Sequence, residues 1–156
     1  MSLLLSACWV GGLAALGLIA APQAFAVLEQ HDPVAGRTLA GELFGVILWK
    51  AQQYLWGIGV VQGLVIGARA ALGPRPRAFK WQLAVLALMV AVSTYSAVVI
   101  KPKIDHIRNT TPQTMASLPA DHPIRKEFGM LHGLSNALML VAFSGALFML
   151  WADTKE

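Results

Sequence analysis

Glu42, Lys50, Gln53, His132, Ser135 and Asn136 are polar side chains set in largely apolar sequence, and they pose the chemical question. A lysine or histidine among apolar residues carries a functional expectation, because an unpaired polar group in hydrocarbon is costly. Glu42 stands two helical turns before Lys50 and is its expected partner, directly or across a water. The alternative is that Lys50 snorkels to an interface along its four-carbon stem. His132, Ser135 and Asn136 fall at i, i+3 and i+4 and would form one stripe on a helix. There His132 could ligate a metal, hold a haem or pigment, or relay a proton; the structural alternative is interhelical hydrogen bonding.

The wider inventory narrows these options. Met130, His132, His122, His106 and Met115 together offer soft ligands that would suit copper, yet no pair has a metal spacing such as HxxxH. A haem b on two histidines needs two facing intramembrane histidines, and only His132 lies in an apolar run. Nothing resembles a phosphate loop, a hydrolase elbow or a catalytic triad, so a non-enzymatic protein is expected. Cys8 is the single cysteine, which rules out an intrachain disulfide and a thiolate cluster.

Apolar runs must position these residues. Residues 1–28, 51–68, 81–100 and 128–152 carry no Asp, Glu, Lys or Arg, and the mean hydropathy is +0.60. Each run is near or above the roughly 18 apolar residues that span a bilayer as a helix. The expectation is an all-α integral membrane protein, an antiparallel bundle of four transmembrane helices in a single domain over residues 1–156. The spans are placed at about 3–28, 38–67, 81–100 and 128–151, with a long Pro-rich loop between the third and fourth. Four spans use up the 156 residues and leave no room for a soluble catalytic domain. Ala24-Phe25-Ala26 resembles a leader cleavage site and Leu5-Ser6-Ala7-Cys8 a lipoprotein box. No basic residue precedes the apolar run, so residues 3–28 read as a true first span.

Local signals refine the spans. Pro22 should kink the first helix and free the carbonyl of Leu18. Ala7, Gly11 and Ala15 make a small-residue ridge, and Gly59, Gly63 and Gly67 make consecutive GxxxG spacings suited to close packing, as do Gly129 and Gly133. The second span is longer than a bilayer requires, so its start should project from the membrane with the end of the first as a helical hairpin. Prolines in the third loop argue against a long helix there. Arg69, Arg75, Arg77 and Lys80 crowd the second loop with no acid, which places that loop and both termini in the cytoplasm. The net charge of +4 therefore reads as orientation signal and headgroup attraction rather than as nucleic-acid binding.

In such a bundle Pro22 and the polar residues Gln23, Glu42, Lys50, Gln52, Gln53, Ser93, Thr94, Ser96, His132, Ser135 and Asn136 fall at one level, in the outer half. They should point inward and pair, forming a polar pocket beneath the third loop.

Short motifs on all four spans add a resemblance: Trp9-Val10-Gly11-Gly12, Ala21-Pro22-Gln23-Ala24-Phe25, Ala35-Gly36, Gly41-Glu42-Leu43-Phe44, Lys101-Pro102, and Phe128 with Leu131-His132-Gly133-Leu134-Ser135-Asn136. Over most of its length the chain resembles the transmembrane protein 205-like family of small four-span proteins. That resemblance implies a four-helix membrane fold and, from the animal members, a link to platinum-drug resistance, but no catalytic residues to transfer. A more distant likeness is to bacterial copper-resistance membrane proteins.

Two functions follow as expectations. The first is a membrane protein of a bacterial inner membrane that binds or exports a small solute or metal ion at Glu42, Lys50, Gln53, His132, Ser135 and Asn136. The second is an accessory subunit that packs against a larger membrane complex. Its partners are the lipid bilayer and either further copies of itself or other membrane subunits.

Overall fold

Four long helices carry the chain: α1 (Ser2–His31), α2 (Ala35–Leu72), α3 (Phe79–Thr110) and α4 (Pro123–Asp153). They come from a computed structural model that describes residues 2–33, 35–73, 78–111, 115 and 117–155. Each is long and apolar enough to cross a membrane, so the chain is an all-α integral membrane bundle. The helices form a closed square in which α1 and α3 each pack against both α2 and α4. Asp32 stops α1 in extended backbone and caps α2 by accepting the Ala35 N–H at 2.8 Å on Oδ1.

The core is built at two levels. Trp9, Leu13, Leu55, Ile66, Leu86, Met89, Ala142, Ala146 and Met149 fill the spanning part. A second cluster, Ile100, Ile107 and Leu131 with Ile104, Met115, Ile124 and Phe128 around it, joins the far ends of α3 and α4. Nineteen residues of helix rise about 29 Å, close to the hydrocarbon thickness of about 30 Å. Taking the Arg69–Asp153 ion pair as one membrane boundary, that distance along α2 reaches Lys50 and, from Gln82 along α3, Lys101. Beyond it the four helix ends continue into a cap outside the membrane.

The expected spans are therefore shorter than the helices observed, and the projecting part comprises all four ends rather than the first hairpin alone. The third connection also differs from expectation. α3 runs on through Pro102 to Thr110 and α4 starts at Pro123, so helix takes up part of the anticipated loop. Of the residues between the two helices, 112–114 and 116 lie outside the described set, as do residues 74–77 of the basic loop, including Arg75 and Arg77.

Pro22 and Pro102 are accommodated in the same way. A π-helical segment, Ala15–Ala20, precedes Pro22, and a second, Ser96–Ile100, precedes Pro102. The widened turn gives Ala21 N–H the carbonyl of Leu16 and Lys101 N–H that of Ser96, each five residues back. A proline lacks the N–H and its ring crowds the carbonyl four residues earlier, so an extra residue in the preceding turn removes the clash.

Candidate functional site

The best-connected polar site lies at the end of the bundle where Ser2 and Asp153 meet, opposite to the half anticipated from sequence. The Asp153 carboxylate, its side chain 2% exposed, accepts Ser2 Oγ–H at 2.8 Å, Ser6 Oγ–H at 2.7 Å and Gln82 Nε2–H at 3.4 Å. Arg69 Nη1 stands 4.0 Å from the same carboxylate. Gln62 Nε2 donates to Ser6 Oγ at 2.7 Å. Every helix contributes: Ser2 and Ser6 from α1, Gln62 and Arg69 from α2, Gln82 from α3 and Asp153 from α4.

Hydrogen bonding fixes the direction of both amides. Ser6 has one proton and gives it to Asp153, so it can only accept from Gln62. Gln82 must present its NH2 to a carboxylate, which has no proton to give. Both glutamines are 0% exposed, and their Oε1 atoms are left buried with no hydrogen-bond partner. A buried acceptor without a donor costs about 1–3 kcal/mol. The arrangement can therefore receive two further hydrogen bonds or an electropositive guest.

The anticipated outer pocket is not enclosed within one chain. Glu42, Lys50, Gln53, His132 and Asn136 are exposed on the bundle surface, and Ser135 is half-buried. Lys50 lies at the membrane boundary opposite the Arg69–Asp153 pair, where its stem can carry the ammonium to the headgroups, and it makes no ion pair with Glu42. Their inward orientation failed as an expectation because these residues sit where hydrocarbon gives way to water, and there exposure costs little. What that half of the bundle does join is Ser96 to Ser135 at 3.1 Å and Trp56 Nε1–H to Thr94 Oγ1 at 3.1 Å.

His132 stacks on Phe128, ring centroids 6.2 Å apart, and the Arg108 guanidinium lies 5.4 Å above the other end of that relationship, the Phe128 ring. Among the described residues, no three His, Cys, Asp or Glu side chains come together to hold a metal. Arg108 also donates to the Gly41 carbonyl at 3.2 Å, tying α2, α3 and α4 together in the cap.

Of the glycines expected to pack helices, Gly59 and Gly63 do so: a Cβ would meet Val90 Cγ2 at 3.3 Å and Leu86 Cδ2 at 3.6 Å. Gly11, Gly67, Gly129 and Gly133 have nothing within 4 Å and lie on outward faces. The tightest spanning contact is at Gly145, where a Cβ would stand 2.6 Å from Met89 Cγ, and sequence spacing gave no hint of it. On α4 the exposed residues Gly129, Gly133, Asn136, Leu140 and Ser144 recur every three or four positions and form one stripe.

Residues 4–112 match the model of a family described as a domain of unknown function (DUF4149). No curated protein and no solved structure matches the chain.

Proposed function

The chain belongs to the DUF4149 family, and on that footing we propose that it is a non-enzymatic accessory subunit whose α4 stripe packs against a transmembrane helix of another chain. The observation that carries this reading is the exposed α4 stripe itself, on which Ser144, midway through the span, lies in line with Asn136 and Gly133 at its far edge. A hydroxyl on a face turned to lipid is best satisfied by a neighbouring chain, and the small residues of the stripe let a second backbone approach closely enough to bond it. The partner is a further copy of this chain or another membrane subunit. The basic second loop supports cytoplasmic termini and a bacterial inner membrane, and the motifs on all four spans support the finer affiliation with transmembrane protein 205-like proteins. Cross-linking in intact membranes tests the proposal. With Cys8 replaced by serine, Gly133→Cys should capture a neighbouring chain, whereas Gly11→Cys on the outward face of α1 should not. Equal labelling at both positions would remove the support for a specific face.

A second reading keeps solute handling but moves its site to the Asp153 cluster. It is favoured by the unpartnered Gln62 and Gln82 oxygens, buried in the network that surrounds the Asp153 carboxylate and of the type a hard cation takes. A rise in melting temperature with sodium or potassium but not choline, abolished in Gln62→Leu, would support it. Identical melting in all three salts would dismiss it.

A further inference from the structure

An open apolar groove of about 640 Å³ runs along the outside of the bundle between α2 and α3. Gly59, Ala87 and Ala91 keep it wide, and Leu83, Val90 and Val60 form its walls. It begins at Leu83, near the membrane boundary marked by the Arg69–Asp153 pair. It closes where Trp56 reaches across to Thr94, the indole N–H donating to the hydroxyl at 3.1 Å. Leu83 to Thr94 is about 16 Å of helix, against about 15 Å for half the hydrocarbon thickness. The groove is thus one leaflet deep. A partner helix would need an open path across the full membrane, and the Trp56–Thr94 bridge interrupts that path.

Charge marks the open end. Lys80 precedes Leu83 by three residues and Ala87 by seven, which continues the groove's own stripe along α3 to the membrane surface, and Lys80 is exposed there. The segment from Arg69 to Lys80 carries basic residues and no acid. Trp81, also exposed, stands at the level of an interfacial aromatic belt. An acyl chain lying in the groove would leave its phosphate beside the Lys80 ammonium.

We infer that the α2–α3 groove is a binding site for an anionic glycerophospholipid of the leaflet adjoining the α2–α3 loop, with one acyl chain between Leu83 and Thr94 and the phosphate on Lys80. A zwitterionic lipid shares the apolar contact but offers no net negative charge, so the site selects by headgroup. The site is independent of the α4 stripe, which lies on another helix.

The test is native mass spectrometry of the full chain, delipidated in mild detergent and then supplied with phosphatidylglycerol or phosphatidylcholine of matched acyl chains. The wild type should retain phosphatidylglycerol in preference to phosphatidylcholine. Lys80→Glu should weaken phosphatidylglycerol retention by at least about fivefold, given the contribution of one basic residue near an anionic surface. Ala87→Trp, at an exposed position that leaves the core untouched, should fill the groove and reduce retention of both lipids. Circular dichroism and melting temperature should be unchanged in both variants. Equal retention of the two lipids by the wild type would overturn the inference, as would an Ala87→Trp variant that binds like the wild type. Displacement of lipid by a second protein chain in the wild type, lost in Ala87→Trp, would also overturn it in favour of a helix partner.

Discussion

Ser6 and Asp153, 147 positions apart in sequence, are joined by a 2.7 Å hydrogen bond at the end of the bundle. The bond holds the first helix to the last and, through Gln62 and Gln82, engages the two between them. A carboxylate only 2% exposed is tolerable because three donors and the nearby Arg69 converge on it.

Removing that charge tests how much of the bundle depends on it. Asp153→Ala should lower stability by about 1–3 kcal/mol, since Ser2, Ser6 and Gln82 would lose their acceptor. Ser6→Ala should cost less. The double variant should fall short of the sum, because both substitutions break the same bond. Reversible unfolding in mixed micelles measures all three.

Packing in the spanning core gives a second prediction. Gly145→Leu should destabilise the bundle by about 1–3 kcal/mol, because a Cβ there meets Met89 Cγ at 2.6 Å and Val85 Cγ1 at 3.2 Å. Gly11→Leu, with nothing within 4 Å, should leave the melting temperature unchanged. If the two variants melt alike, the α3–α4 contact is looser than the structure has it.

The cap should depend on Arg108. Its guanidinium bonds the Gly41 carbonyl and lies over Phe128, so Arg108→Ala should speed amide exchange at the start of α2 and the end of α3. The expected loss is about 1–2 kcal/mol, with Arg108→Lys recovering only part, since an ammonium lacks the planar face that stacks on the ring. Exchange confined to residues beyond the membrane would show that the cap opens without the spanning core.

The helices were legible because length and hydropathy alone decide what can cross a bilayer, and four charge-free runs became four helices. The polar site around Asp153 was not. Asp153 follows the last apolar residue and is followed by Thr154-Lys155-Glu156, so it reads as a solvated tail. Gln82 sits beside Lys80 and Trp81 and reads as interface. Only the three-dimensional closure of the bundle brings them over Ser6. Pattern also misjudged the other end: Lys50 and Gln53 lie near a boundary where facing outward is inexpensive, and the rule that polar groups turn inward loses its force there. Gly145 escaped notice because it has no small residue four positions away, and its importance comes from the bulk of Met89 on the neighbouring helix.

The central proposal is that the exposed α4 stripe is a contact surface for another helix. Native mass spectrometry of the protein extracted from its own membranes, compared with Asn136→Leu and Gly133→Leu, tests it most directly. The wild type should carry a stoichiometric partner, either a second copy or a foreign subunit, and both variants should release a folded monomer. A wild type that flies as a lone chain, or variants that keep the same partner, would contradict it.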